Sequence, residues 1–187
     1  MSPAQRFFWI GCALEAALCL LALGLNGLSG RALWADLHWN QTHLLAGLLA
    51  TLPALALFVL TLHASHGPLG RLRSFLEGTI RPLFNQWTLW QLLLISLLAG
   101  LGEELLFRGA VQGLLVDWLG LLPGLILASL LFGACHPMTL AYLMITTLIG
   151  LYLGSLWIVT GNLLAPIVTH ALYDFLALLY LLHYRQP

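Results

Sequence analysis

The sequence predicts an all-α fold: a polytopic integral membrane helix bundle with about six transmembrane helices. Hydrophobic residues make up 60% of its 187 residues and charged residues only 7%, whereas soluble globular proteins carry about 25% charged residues. The mean hydropathy of +0.94 agrees. This composition excludes an ordinary soluble enzyme and a disordered segment. It also predicts the lipid bilayer as a partner and excludes nucleic acid, because too few charges are present to bind a phosphate backbone.

Six apolar segments are long enough, or nearly so, to cross a bilayer. A spanning helix needs about 20 mostly apolar residues, and no segment shows the sustained alternation typical of a strand. We therefore expect a single transmembrane domain over residues 1–187. The predicted spans are 7–25, 43–62, 89–116, 121–135, 138–159 and 163–183.

The first apolar segment has two interpretations. Arg6 followed by an apolar run is also the pattern of a signal peptide. The length of 7–25, the presence of Glu15 and the absence of an A-x-A cleavage site favour a first transmembrane span. We keep the signal peptide as the alternative.

Arginine placement predicts the orientation, since cytoplasmic loops carry an excess of positive charge. With six spans both termini lie on one side, and five arginines fall on that side against only Arg31 on the other. We therefore expect both termini in the cytoplasm, in a bacterial-type inner membrane. Residues 69–84 are expected to form an interfacial amphipathic helix that Pro82 breaks. The five arginines are Arg6, Arg71, Arg73, Arg81 and Arg185.

The cysteines lie inside apolar runs without metal-binding or redox spacing. Cys12, Cys19 and Cys135 are therefore predicted to be buried thiols and not a disulfide framework.

Ionisable residues inside the predicted spans are the strongest functional signal. A charged side chain at the bilayer centre costs at least about 2.5–3.5 kcal/mol and is a candidate functional residue by default. Three such residues fall within six positions of the third span, one closes the fourth span, and two lie in the sixth. They are Glu103, Glu104, Arg108, His136, His170 and Asp174.

Helical spacing sorts these residues into pairs. Glu104 and Arg108 are four apart and can form an ion pair on one face. Glu103 is rotated by about 100° from Glu104, so it is free to face another helix and to serve as a general base. His170 and Asp174 are also four apart, so Asp174 can hold the imidazole in one tautomer.

Each pair also has a structural interpretation. For Glu104 and Arg108 alone, a structural ion pair is favoured over function. A histidine at a helix end and a helix-locking hydrogen bond explain His136 and His170–Asp174 equally well. All six together on three spans favour function. Glu15 is best explained by packing or a polar contact, and the remaining histidines, His38, His43, His63, His66 and His183, are expected at the membrane interface.

Three motifs then resemble a known family. They are Glu103-Glu104-x-x-x-Arg108, Phe132-x-x-x-His136 and His170-x-x-x-Asp174, each on a separate hydrophobic span. In order and spacing they are similar to the motifs of the CAAX protease and bacteriocin-processing (Abi) family, which includes the Ras-converting CAAX endopeptidase. The resemblance covers about residues 87–180, which would be the catalytic core.

The resemblance implies an intramembrane glutamic-type endopeptidase without a metal or other cofactor. Glu103 and His136 would activate a water molecule, with Glu104 and Arg108 in support. His170 and residue 174 would stabilise the oxyanion. Many relatives carry Asn at this last position, and because an ionised Asp cannot donate a hydrogen bond, Asp174 would orient His170 instead. The substrate would be a membrane-associated peptide or protein, either of the CAAX type or a leader peptide.

Two alternatives remain. Glutamate, histidine and aspartate are acceptable zinc ligands, so a zinc-dependent hydrolase is possible, although the sequence lacks HExxH. The same cluster is also compatible with a non-catalytic membrane scaffold or with an ion- or proton-conducting protein.

Overall fold

The computed structural model describes residues 1–183, which fold into helices joined by short turns and contain no strand. Five helices are long and apolar enough to cross a membrane, and a shorter apolar helix makes the sixth. The predicted fold class is confirmed. Arg185 lies outside the described residues. The helices are α1 (Pro3–Ser29), α2 (Gln41–His63), α3 (67–84), α4 (Leu89–Leu119), α5 (Leu121–Ala134), α6 (Leu140–Thr160) and α7 (Leu164–His183), with a 3₁₀ turn at Leu33–Asp36.

Local capping sets the helix ends. At the start of α1, the Ser2 hydroxyl accepts from the Gln5 backbone and the Gln5 side chain accepts from the Ser2 backbone. This reciprocal pair satisfies two of the backbone donors that a helix start leaves free. Asn40 caps α2 by accepting from the His43 N–H at 3.0 Å. Both helices are slightly longer than the predicted spans: α1 extends four residues beyond its span at each end, and α2 extends two residues at its start and one at its end.

Helix α3 forms, but Pro82 does not break it. The α-helix Gly67–Phe75 passes through the π-helical turn Leu76–Ile80 into Arg81–Phe84. The wider turn directly before Pro82 gives room for a ring that would otherwise clash with the preceding helical turn. Leu72 and Leu76 are buried against α2, α6 and α7, so α3 is packed on the bundle as well as amphipathic.

The α4–α5 hairpin is asymmetric. Helix α4 has 31 residues and is about 46 Å long, whereas α5 has only 14 residues and is about 21 Å long. A hydrocarbon core of about 30 Å is therefore exceeded by α4 and not crossed by α5. The predicted fourth span, 121–135, agrees with α5 to within one residue.

Helix α7 packs between α2 and α4, and α1 packs along the outer side of α4. Close approach of α4 and α7 depends on Gly100, where an added Cβ would lie 2.7 Å from the Ala171 backbone nitrogen. The two helices therefore meet nearly backbone to backbone. This contact fixes the position of His170, the residue before Ala171 on α7, relative to α4.

The prediction for the cysteines is partly wrong. Cys12 is buried, Cys19 is half-buried and Cys135 is exposed. Cys135 follows the last residue of the short helix α5, where the chain turns and no neighbouring helix covers it. All three thiols are free.

Candidate active site

The polar residues of α4 lie where its backbone changes type. The α-helix ends at Glu104, residues Leu105–Gln112 form π-helical turns, and the α-helix resumes at Gly113. Such turns are rare and occur frequently at functional sites. The residue pattern predicts a regular α-helix over this segment and contains no signal for the wider turns.

Glu104 and Arg108 form the predicted ion pair. Arg108 Nη1 donates to Glu104 Oε1 at 2.7 Å, and the two side chains are 2% and 0% exposed. Arg108 Nη2 also donates to the Gly150 carbonyl at 3.3 Å, and the guanidinium lies 4.3 Å from the centre of the Phe132 ring. A buried arginine is stable only when its donors are satisfied in this way.

Glu104 also binds His170. The Nδ1–H of His170 donates to Glu104 Oε1 at 2.7 Å, because an ionised carboxylate can only accept. Asp174 Oδ2 lies 3.5 Å from Nε2 on the other side of the ring. The short contact to His170 is thus made by Glu104 on another helix. The sequence does not predict this contact, since no spacing rule joins residues 66 positions apart.

His136 is oriented by its own helix. Its Nδ1–H donates to the Phe132 carbonyl at 2.9 Å, so Nε2 of the neutral ring is an acceptor. Nε2 lies 4.0 Å from Glu103 Oε2. Phe132 and His136 are four positions apart, which explains why the second motif has this spacing.

Glu103 lies between the two histidines. Its Oε2 atom is 4.0 Å from His136 Nε2 and 3.9 Å from His170 Nε2. The side chain is 13% exposed, and within residues 1–183 Oε2 has no hydrogen-bond partner although it is buried. Gaps of this size between polar atoms fit a bridging water molecule.

The structure therefore brings all six predicted residues together, although they come from α4, α7 and the turn after α5. If α5 crossed the whole bilayer, His136 and His170 would lie at different depths. Because α5 has only 14 residues, both histidines reach the carboxylate of Glu103. Glu103 precedes the end of α4 by 16 residues and His136 follows the start of α5 by 15. Arms of nearly equal length in a tight hairpin put the two residues side by side. Counting from the Gly120 turn would have found this from the sequence.

Two neighbouring cavities meet at the cluster. The first, of about 120 Å³, is lined by Glu103, His136, His170 and Asp174. The second, of about 230 Å³, is mostly apolar and lies between α2, α3, α6 and α7. Four residues line both, namely Tyr142, Ile145, Tyr173 and Asp174. The sequence pattern singles out neither tyrosine, since an aromatic residue in a span is usually a packing residue.

Within the described part of the chain, no set of three or more His, Cys, Asp or Glu side chains has an arrangement suited to a metal ion. The carboxylates and imidazoles of the cluster instead contact Arg108 and one another.

Comparisons with known proteins point to one family. Residues 85–176 match the family model described as type II CAAX prenyl endopeptidase Rce1-like. The uncharacterized protein YpbD of Bacillus subtilis (strain 168) is 32% identical over 101 residues, which cover 52% of this chain and 49% of that protein. The chain thus spans about half the length of this curated relative. No solved structure matches the chain.

The matched segment contains all six residues of the cluster and the whole of α4 and α6. The order of the three motifs along this segment is the one from which the resemblance was drawn. Residues 85–176 therefore belong to the Rce1-like family, and the resemblance is confirmed.

Proposed function

We propose that the chain is an intramembrane endopeptidase in which Glu103 and His136 activate a water molecule. The observation that carries the proposal is the position of Glu103 Oε2, at 4.0 Å and 3.9 Å from the Nε2 atoms of two histidines on a cavity wall. Amide hydrolysis needs a base for water, a donor for the oxyanion and a proton for the leaving amine. The cluster offers all three.

In the first step Glu103 takes a proton from water while the oxygen attacks the peptide carbonyl. His136 Nε2, whose lone pair faces Glu103, accepts a hydrogen bond from the same water molecule and orients it. The proton held by Glu103 then passes to the amide nitrogen, and the C–N bond breaks to give an acid and an amine. No Ser or Cys nucleophile is needed, and no proton is lost overall.

His170 stabilises the oxyanion of the tetrahedral intermediate. Its Nδ1–H is held by Glu104, so Nε2 donates to an oxyanion when the ring is an imidazolium, whose charge Glu104 and Asp174 balance. Asp174 cannot itself donate when ionised; it holds the cation in place. Arg108 holds Glu104 in place and so affects the reaction only through Glu104 and His170.

The family description supplies the substrate class. The matching model is described as a CAAX prenyl endopeptidase, so we propose a membrane-associated peptide with an apolar group beside the scissile bond. The apolar cavity that shares Tyr142 and Tyr173 with the site is large enough for several methylene groups. We further propose that the protein resides in a bacterial inner membrane with both termini in the cytoplasm.

The test compares membrane-protein termini in host cells that carry the wild type, Glu103→Gln or Glu77→Gln at equal levels. Glu77 lies on α3 and pairs with Arg73 at 3.0 Å, so its variant controls for loss of a carboxylate elsewhere. We expect new termini in the wild type and Glu77→Gln that are absent from Glu103→Gln. Loss of a positioned base lowers a rate by about 10²–10⁴-fold.

Purified protein gives the second arm, with a prenylated CAAX-type peptide as the probe. Cleavage by the wild type and not by Glu103→Gln supports the prenyl substrate class. If matched amounts of the wild type produce neither new termini nor peptide cleavage, the protease proposal is overturned. A scaffold or ion-conducting protein would then better account for the cluster.

A further inference from the structure

The turn between α6 and α7 holds a buried amide group that the mechanism does not use. Asn162 is fully buried and lies two residues before α7 begins. Its Oδ1 atom accepts the Leu164 N–H at 3.0 Å and the His38 N–H at 3.4 Å. Its Nδ2 atom donates to the His38 carbonyl at 2.9 Å and lies 3.0 Å from His43 Nδ1. One side chain thus joins the loop between α1 and α2 to the start of α7.

The backbone partners fix the orientation of this amide group. A backbone N–H can only donate and a backbone carbonyl can only accept, so the amide oxygen faces Leu164 N and the amide nitrogen faces the His38 carbonyl. Turning the group over would set like against like at all three backbone contacts. The NH₂ group of Asn162 therefore also faces His43, and Nδ1 of that imidazole is an unprotonated acceptor.

A proton on Nδ1 of His43 would oppose this contact. Histidine is the side chain that changes its charge between about pH 5 and pH 8, and His43 is half-buried in the first turn of α2. In the imidazolium both ring nitrogens are donors, so the amide of Asn162 would then face another donor. The open form, in which Nδ1 is free to take up a proton, binds more protons. The contact is therefore stable above the range in which histidine titrates and weakens as the pH falls through it.

The loop between α1 and α2 carries the other ionisable groups of this region. They are Arg31, Asp36 and His38, with Arg31 paired to Asp36 and to Asp117 at the end of α4. The His38 ring is exposed and lies 6.2 Å from the His43 ring, centre to centre. The end of α6, the turn and the first turns of α7, residues 155–169, contain no ionisable side chain. Within the described residues, Asn162 meets His43 through the imidazole and His38 through the backbone alone.

The same region sets the position of the helix that carries His170. Thr169 Oγ1 donates to the Gly47 carbonyl at 3.0 Å, and an added Cβ on Gly47 would lie 2.7 Å from the Ala165 carbonyl oxygen. The first turns of α2 and α7 therefore meet backbone to backbone. His170 directly follows Thr169, so a shift at the start of α7 moves the imidazole relative to Glu103.

We propose that Asn162 and His43 are positioning residues that hold α7, and with it His170, in place only while the His43 ring is neutral. In acid the contact opens and the start of α7 is released. With both termini in the cytoplasm, the contact lies at the opposite face of the membrane, so cleavage would respond to the pH on that side. The effect on cleavage rests on the proposed function, whereas the contact itself does not.

The first experiment measures hydrogen exchange and does not depend on activity. The full chain in lipid nanodiscs is compared with His43→Asn and His38→Asn from about pH 8 to about pH 5, with rates corrected for the intrinsic effect of pH. Asparagine has an oxygen near the position of Nδ1, which keeps the acceptor but takes up no proton. In the wild type, protection of peptides covering 36–44 and 160–166 should fall by about 2- to 10-fold in acid, the effect of one hydrogen bond.

The two variants should differ in this fall. It should be absent from His43→Asn and present in His38→Asn, because His38 contributes only backbone groups to the contact. An equal fall in the wild type and His43→Asn overturns the proposal, as does loss of the fall in His38→Asn. If His43→Asn does not fold, His43→Ala takes its place. Protection should then be low at every pH, and a fall in acid that persists would contradict the proposal.

The second experiment measures kcat with the prenylated CAAX-type peptide over the same pH range. The ratio of kcat for His43→Asn to kcat for the wild type should rise by about 2- to 10-fold from the highest to the lowest pH. The ionisable groups of the candidate site are the same in both proteins, so their titration cancels in the ratio. A constant ratio overturns the positioning role. Absence of cleavage by the wild type overturns the proposed function, and hydrogen exchange then decides the contact by itself.

Discussion

Two arginines of this protein bind carboxylates in opposite surroundings. Arg108 is 2% exposed and pairs with Glu104, which is fully buried. Arg31, beyond the end of α1, is 24% exposed and pairs with Asp117, which is 51% exposed, and with Asp36 at 3.8 Å. Both arginines also donate to a backbone carbonyl of a distant helix, Gly150 for Arg108 and Gly113 for Arg31.

The difference teaches that the surroundings of an ion pair, and not its geometry alone, set what it contributes. Water solvates the partners of Arg31 whether or not the pair is formed, so the pair contributes little. Removing Arg108 would leave Glu104 as a buried charge that only His170 balances. The pair at the helix ends therefore joins two segments, while the buried cluster holds the candidate site in one arrangement.

The largest difference in stability between the two clusters is expected when the arginine of each is replaced by alanine. Arg108→Ala should lower the free energy of unfolding by about 3–5 kcal/mol, the range for a buried pair that loses one partner. Arg31→Ala should cost about 0–1 kcal/mol. Unfolding of both purified variants in the same detergent measures the difference. Equal losses would show that burial does not separate the two clusters.

A smaller effect is expected when the carboxylate is made neutral. Glu104→Gln should cost about 1.5–3 kcal/mol, because the hydrogen bonds to a charged carboxylate become weaker ones to a neutral amide. It should also reduce peptide cleavage, because a neutral amide no longer balances the charge of the His170 imidazolium. Asp117→Asn is the matched control and should cost at most about 1 kcal/mol. Full cleavage by Glu104→Gln would show that His170 does not need a negative charge at residue 104.

Arg108→Lys tests the shape of the guanidinium group. Lysine keeps the charge but cannot contact Glu104, the Gly150 carbonyl and the face of Phe132 together. We expect a stability between those of the wild type and Arg108→Ala. A lysine variant as stable as the wild type would indicate that charge alone is required.

Raising the ionic strength should change the stability contributed by the exposed cluster by a few tenths of a kcal/mol and leave that of the buried cluster unchanged. The Arg31 pairs are exposed, and the Debye length falls from about 30 Å at 0.01 M to 3 Å at 1 M ionic strength. The stability lost in Asp117→Asn should therefore shrink as salt rises, whereas the loss in Arg108→Ala should stay constant. Thermal unfolding at the two ionic strengths checks this.

Metal removal should have the smallest effect of all. In the buried cluster, Arg108 occupies the position of a counter-charge for Glu104. We expect peptide cleavage to be unchanged by EDTA or 1,10-phenanthroline. Loss of activity that added Zn²⁺ restores would favour the zinc-dependent alternative.

Much of this arrangement could be predicted from local rules. Apolar runs predict the helices because a bilayer imposes a length, and a spacing of four predicts the contact between Glu104 and Arg108. The six residues were identified because ionisable groups are costly inside a membrane.

The rest depends on tertiary contacts that no local rule contains. The hydrogen bond from His170 to Glu104 joins two helices, and it exists because Gly100 lets α7 approach α4. The π-helical turns after Glu104 have no propensity signal. The passage of the helix through Pro82 depends on the wide turn before it. Burial of Glu15 against Gly102 likewise follows from how α1 packs.

The nearly equal arms of the α4–α5 hairpin have a consequence for changes in chain length. Deleting one residue from one arm rotates every side chain beyond it by about 100° and draws it back by about 1.5 Å, which would part Glu103 from His136. Seven residues make about two full turns, so adding seven to both arms lengthens the tip and leaves the two side chains facing each other. The positions of Glu103 and His136 therefore depend on the number of residues between each of them and Gly120. Insertions or deletions near Gly120 should be tolerated when they comprise whole helical turns and are made in both helices together.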